Sequence, residues 1–426
     1  MKVLWLSATK GLFSSSNSPC YNGGGWISSL QKLVDSHEDI HLGFVFLSSD
    51  EPLDCITQGK TVYYPIYNPP LTKREKILKY YSGYKHQGIS RHISQIQEAI
   101  ADFKPDIIHL FGLENPLAII LGNTDVPVIV HLQGLLLPYD NAFYPPGINR
   151  YSFLWPPSLR EWILRNGYIY SQKDMHVRAQ HEHKLFLSSK YFMGRTEWDK
   201  QMSKLMSPGS SYYHVDEVLR DTFYEKSGSW KLTEGKIIIT STLSENVYKG
   251  LDLVLKTANL LKALVNCDFE WHIIGIPPTA KLIKFFERAT HIKSKDVNVF
   301  YDGIQDETGV SSILLKSNVY VHPSYIDNSP NSLCEAQLLG VPVIGSYVGG
   351  IPSLITNNVS GLLFPANAPY ELAHLIQTLH EEPDLSLKLS EGGFAEANKR
   401  HDRSIIVSSL IETYKSVIHG NNIQNI

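Results

Sequence analysis

Cysteine is scarce in this chain. Cys20, Cys55, Cys267 and Cys334 are scattered through 426 residues with no C-x-x-C spacing. That pattern excludes a disulfide framework and a thiolate metal site, and it reads as a reduced, intracellular protein. No apolar run is long enough to span a bilayer. The opening Met1-Lys2-Val3-Leu4-Trp5-Leu6-Ser7 is too short for a signal-peptide core and reads as a first strand. The expected location is cytoplasmic, or peripheral at the inner face of a membrane. An excess of positive charge is also missing: 39 Lys and Arg against 42 Asp and Glu give a formal charge of −3, which argues against a nucleic-acid partner. The 17 histidines show no zinc spacing. His181-Glu182-His183 and His37-Glu38 lack the i, i+4 pairing of a helical metal site, so no metal is expected. The run Gly23-Gly24-Gly25 is followed by Trp26-Ile27-Ser28. It is therefore not a dinucleotide fingerprint, and a dehydrogenase is disfavoured.

What is present is alternation. An apolar content of 43% suffices for two buried cores, and the length suits two domains. Val3 to Leu6, Leu42 to Leu47, Asp106 to Phe111 and Val126 to Leu132 read as buried parallel strands. Helical patterns follow near Trp26 to Val34, Arg91 to Phe103 and Asn115 to Leu121. The pattern restarts after Gly228 with the strand Lys236 to Thr240. An amphipathic helix follows from Leu251 to Val265, then strands at Trp271 to Gly275 and Val319 to His322. The expected fold is α/β, with two doubly wound, Rossmann-like domains at 1–228 and 229–400 and a closing helical segment at 401–426. In open α/β sheets ligands sit outside the carboxyl ends of the strands. The Gly23 to Gly25 run and the turn after His322 both fall at such ends, so both are expected to line one cleft between the domains.

The most informative stretch is Asp327-Asn328-Ser329-Pro330-Asn331-Ser332-Leu333-Cys334-Glu335. Its two carboxylates, eight positions apart, bracket a strand-to-helix turn. Ser329 suits an N-cap and Pro330 a first helical position. A helix start offers free N–H groups and the positive end of a dipole, which suits phosphate. Glu335, one turn further in, suits the two hydroxyls of a ribose. These parts fit a nucleoside diphosphate.

The same run resembles the acidic-x7-Glu motif of retaining GT-B glycosyltransferases, most closely glycosyltransferase family 4. The flanks agree: Gly340-Val341-Pro342-Val343-Ile344, Gly349-Gly350-Ile351-Pro352 and Asn358 to Leu363 are similar to that family's C-terminal half. The resemblance is specific over about 230–400 and looser before. It departs at Asp327, where the family usually has Glu, and at Ser244, where many relatives have an Arg five positions before the Lys.

The resemblance implies a GT-B fold, with the acceptor on the side of the N-terminal domain and the donor held mainly by the C-terminal one. The segment at 401–426 is expected to cross back to the first domain. A hexosyl group would pass from a nucleotide-diphosphate sugar, expected to be a UDP-sugar, to a saccharide or lipid-linked saccharide acceptor in surface-polysaccharide synthesis. Anomeric configuration would be retained, with no metal and no cofactor beyond the co-substrate.

Residue by residue, the resemblance gives Glu335 the ribose and Asp327 a donor-sugar contact. Asn328, Ser329, Pro330, Asn331, Ser332 and Leu333 would meet the diphosphate and sugar hydroxyls. Lys249, before Gly250, would be the diphosphate cation, and Arg195 is a candidate for the second. Gly24 and Gly25 belong to the loop near the donor phosphates. His131, at a strand end, would stand near the donor sugar. The alternatives are a nucleotide-sugar 2-epimerase of the same fold and a catalytically inactive nucleotide-sugar-binding subunit.

Two stretches mix basic and aromatic residues. Lys60 to Arg91 carries Lys73, Arg74, Lys76, Lys79 and Lys85 among Tyr63, Tyr64, Tyr67, Tyr80, Tyr81 and Tyr84. Arg150 to Tyr170 carries Phe153, Trp155 and Trp162. Such mixtures suit peripheral contact with an anionic membrane or a lipid-linked acceptor.

Overall fold

The structure is a computed structural model that describes residues 1–14, 25–49, 54–68, 89–148, 167–265 and 268–424. The chain divides into two compact units. The first holds Met1–Asp140, Pro157–Val218 and Asp402–Ile426, and the second Asn141–Pro156 and Leu219–His401. The division at Val218 lies before the expected boundary at 228. Leu219 and Phe223 are the reason: both are buried in the second unit's core.

The first unit is built on an eight-stranded sheet. Its strands are β1 (Lys2–Ser7), β2 (His41–Ser48), β3 (Ile56–Gln58), β4 (Thr61–Tyr67), β5 (Ile107–Phe111), β6 (Val128–His131), β7 (Tyr191–Gly194) and β8 (Ser211–His214). They lie in the order β3-β4-β2-β1-β5-β6-β7-β8. All pairings are parallel except the β3–β4 hairpin. β1 exposes Lys2 and buries the next five side chains, as expected of a parallel strand covered on both faces. Leu4, Val45, Ile108, Val130, Phe186 and Phe192 are among its core residues.

The second unit has six strands: β9 (Ile237–Thr242), β10 (Phe269–Ile274), β11 (Val299–Gly303), β12 (Val319–His322), β13 (Val343–Ser346) and β14 (Leu362–Phe364). All are parallel, in the order β11-β10-β9-β12-β13-β14. The strand order therefore reverses between β9 and β12, the place where the connections leave to opposite faces and ligands bind in open sheets.

Several local expectations shift. The helical stretch expected near Asn115 to Leu121 is a short 3-10 helix, Pro116–Ile120, capped by the Asn115 side chain. The Asn side chain bonds its own backbone two residues on, which favours a short turn over a full helix. Lys60 to Arg91 is not wholly surface. Within it β4 pairs with β2, and Tyr63, 2% exposed, accepts a 2.6 Å bond from Gln31 in the core. Tyr64 donates to Asp102. Lys73, Arg74, Lys76, Lys79, Tyr80, Tyr81, Tyr84 and Lys85 lie outside the described residues, as do Gly23, Gly24, Phe153, Trp155, Trp162, Cys20 and Cys267.

The closing helix Arg403–Gln424 is part of the first unit. Its Tyr414 is fully buried and accepts a 3.0 Å bond from the Trp5 indole of β1.

Candidate functional site

In the second unit the site is assembled by the two loops at the strand-order reversal. After β9 the chain runs through Ser244 and a 3-10 turn, Val247–Lys249, into the helix Leu251–Leu264. Gly250 joins these in the left-handed region, at φ 82°. A side chain there would run into the backbone carbonyl of Pro323 in the loop after β12. Glycine is thus what lets the two loops touch. After β12, Pro323 to Pro330 lead into the helix Asn331–Leu339.

The contact brings Lys249 and Asp327 together. Lys249 Nζ donates to Asp327 Oδ2 at 2.6 Å, with side chains 19% and 9% exposed. His322 Nε2 lies 2.8 Å from the same oxygen, and Ser324 Oγ lies 3.0 Å from that nitrogen. Burial alone would raise the Asp327 carboxyl. The Lys249 charge and the His322 bond prevail and hold it well below the usual carboxylate range. His322 is lowered by burial, with Asp327 opposing. On the other side, Gly349 packs against the Asp327 carbonyl so closely that a side chain would clash. The Gly350 N–H donates to that carbonyl at 3.0 Å. Asp327 is therefore fixed by its side chain and its backbone.

The helix starts one residue later than the sequence implied. Pro330 is the N-cap, with an extended ψ of 111°, and no side chain caps this end. Ser329 lies one position outside. Pro330's carbonyl already accepts from Leu333, so it opens the helix without adopting helical angles. Asn331 Oδ1 is buried without a hydrogen-bond partner. An uncapped helix start of this kind presents N–H groups and a positive dipole end, the elements of an anion site.

Glu335 is 3% exposed and held by a residue the sequence reading did not single out. Arg220 Nε and Nη2 each donate at 2.7 Å, one to each carboxylate oxygen. Burial raises the Glu335 carboxyl; the Arg220 bond and charge oppose it. The guanidinium also stacks over Phe223, 4.8 Å from the ring centre. Each carboxylate oxygen has a second lone pair, so Glu335 can still accept from a ligand hydroxyl.

The other candidates lie in the first unit. Gly25 opens the helix Gly25–Asp35. His131 ends β6 and is 1% exposed. Trp26 and Phe111 flank its ring, with centroids 5.4 and 5.7 Å away. Arg195 is 6% exposed, ion-paired with Glu217 and set over the Trp26 ring. Its charge is thus matched within its own unit. Ser244 is exposed and accepts a bond from Asn246. No group of three or more His, Cys, Asp or Glu is placed to hold a metal among the described residues. No helix among them is long and apolar enough to cross a membrane.

Residues 222–395 match the family described as glycosyl transferases group 1. The chain is 29% identical over 154 residues to the amylovoran biosynthesis glycosyltransferase AmsK of Erwinia amylovora, covering 34% of this chain and 36% of that protein. The chain spans about a third or less of the length of the first curated relatives it matches. Its fold is similar to sucrose-phosphate synthase of Thermosynechococcus elongatus, with TM-score 0.68 and 13% identity over 98% of this chain and 99% of that one. It is also similar to Anabaena Alr3699/HepE in complex with UDP and glucose, with TM-score 0.63 and 14% identity over 98% of this chain and 100% of that one. Residues 222–395 thus match the glycosyl transferases group 1 family, and the chain has a GT-B fold of two parallel Rossmann-like sheets.

Proposed function

We propose that the protein transfers a hexosyl group from a nucleotide-diphosphate sugar, UDP-linked, to a saccharide or lipid-linked saccharide acceptor, with retention at the anomeric carbon. The observation that carries this reading is the charge arrangement at the start of the helix Asn331–Leu339. Lys249 and Asp327 stand before it, and Glu335, clamped by Arg220, stands one turn inside it. That spacing matches a diphosphate at the helix N-terminus and a ribose beside Glu335. The family match and the UDP and glucose bound to HepE support the donor class. AmsK, whose name places it in amylovoran biosynthesis, supports a saccharide acceptor.

In this reading Lys249 stabilises the diphosphate as it leaves, because negative charge on the phosphate oxygen grows when the C1–O bond breaks. Asp327 holds the Lys249 ammonium in place and lies beside the sugar. The helix dipole adds fixed positive potential without reorganisation. The acceptor oxygen bonds to C1 from the face the diphosphate leaves, and the departing phosphate oxygen takes the acceptor proton. No separate protein nucleophile enters this scheme.

The test is calorimetric titration with UDP, followed by turnover of UDP-hexoses with saccharide acceptors, the anomer of the product read by NMR. UDP binding that Glu335→Ala weakens at least tenfold, with retained configuration in the product, supports the reading. An inverted product removes the front-face mechanism. Conversion of the donor to its 2-epimer with no acceptor present would make the protein an epimerase instead. Failure to bind UDP would overturn the donor assignment.

A further inference from the structure

His131 sits at the end of a continuous buried hydrogen-bond chain within the first unit. Trp5 Nε1 donates to the Tyr414 hydroxyl at 3.0 Å. That hydroxyl lies 2.6 Å from His109 Nδ1, and His109 Nε2 lies 3.2 Å from His131 Nδ1. All four side chains are at most 1% exposed. His131 Nε2, the far end of the chain, is buried with no hydrogen-bond partner. The four residues come from β1, β5, β6 and the closing helix, and the chain begins 409 positions from where it is anchored.

We propose that Tyr414 and His109 are positioning residues that lock His131 as the Nε2–H tautomer, so that its unpartnered Nε2 offers a ligand oxygen a hydrogen-bond donor rather than a base. The argument is a proton count. An indole nitrogen only donates, so the Tyr414 oxygen accepts from Trp5. Tyr414 has one proton, and His109 Nδ1 is the acceptor within its reach. His109 Nδ1 is then bare, and its proton is on Nε2, where it is donated to His131 Nδ1. His131 Nδ1 is bare in turn, and its proton is on Nε2. The reverse arrangement places two donors on the Tyr414 oxygen and strands the phenolic proton in a buried site, a loss of the kind that buried polar groups avoid.

Neutral imidazoles are required for this count, and both meet the condition. Burial pushes His109 down to about 3. Burial, helped by His109 and Arg195, holds His131 well below its ordinary value. The stranded Nε2–H is costly in the free protein, and a ligand oxygen would relieve it. The second imidazole nitrogen is the usual point at which a protein sets the tautomer of a working histidine.

The experiment is long-range 15N–1H correlation on the full-length protein with 15N-labelled histidine, which reads the tautomer of each ring. The wild type is expected to show both His109 and His131 as Nε2–H. His109→Phe keeps an aromatic ring against Phe111 but removes the donor, and His131 should become a mixture of tautomers. His109→Gln supplies an amide N–H at about the same place and should restore the Nε2–H state. Turnover should fall about tenfold or more in His109→Phe and recover in His109→Gln, as for other residues that orient a functional histidine. A wild-type His131 protonated on Nδ1, or a His131 tautomer unchanged in His109→Phe, overturns the proposal. If His109→Phe does not fold, the wild-type tautomer and the Gln variant still decide it. Titration with UDP-hexose tests the ligand separately: a His131 Nε2–H signal that moves on saturation supports a donor role toward a ligand, and a locked Nε2–H whose signal does not move removes that role.

Discussion

Replacing Arg220 with Met leaves the Glu335 carboxylate buried and stripped of both its charge-assisted bonds. In the wild type both oxygens receive 2.7 Å bonds from one guanidinium, and the side chains are 26% and 4% exposed. Breaking one side of a buried pair costs about 3–5 kcal/mol. The partial exposure of Arg220 argues for the lower end, about 3 kcal/mol, which is about 6–12 °C in melting temperature for a unit of this size class. Glu335 has an escape, which is to bind a proton. Its carboxyl is already raised by burial, and loss of Arg220 raises it further above the unfolded value. A raised carboxyl binds its proton more tightly in the folded state. The folded form is therefore favoured at low pH, and stability is lost as pH rises from the unfolded value toward the folded one. The deficit of Arg220→Met relative to wild type should be largest near pH 7 and shrink toward pH 5. Glu335→Gln in the same chain should return most of the loss, because no charge is then buried. Urea unfolding of the four proteins of this cycle at both pH values measures the coupling directly. A deficit below about 1 kcal/mol, or one equal at pH 7 and pH 5, would refute the argument that Glu335 is a buried charge held by Arg220.

Lys249→Met should lower turnover by about 10²-fold or more through loss of the leaving-group cation, while the midpoint of unfolding moves little in comparison. A large midpoint fall with activity per folded molecule intact would make Lys249 structural. Gly250→Ala should destabilise the second unit and perturb nucleotide binding together, since the added methyl meets the Pro323 carbonyl at a positive φ; normal stability would mean the two loops do not need this contact. The buried His109 predicts acid sensitivity. Its folded pKa of about 3 lies below its ordinary value of 6.5, so its contribution is complete above about pH 6.5 and is lost as pH falls from there toward 3, at up to about 1.4 kcal/mol per pH unit. Calorimetric melting of the wild type against His109→Phe between pH 7 and 5 should show a flatter dependence in the variant, and parallel curves would contradict it.

Short-range chemistry was legible in the chain itself. Alternating apolar strands and helical patterns imply doubly wound sheets because a parallel strand must be buried on both faces. The turn from Asp327 to Glu335 reads directly as a helix start flanked by two carboxylates. What the sequence could not supply was each residue's counterpart. Arg220 meets Glu335 across 115 positions, and its local sequence carries no sign of that pairing. Lys249 meets Asp327 because the strand order sets β9 beside β12. Arg195 reads as an available cation until Glu217 is seen against it. His131 reads as a lone histidine until β1, β5 and the closing helix stack Trp5, His109 and Tyr414 behind it. Turn chemistry is fixed by neighbours a few residues apart, so sequence alone placed a helix start between two carboxylates to within one residue, though not its cap. The partners that set charge and tautomer are brought together by sheet order and packing, and only the tertiary structure decided them.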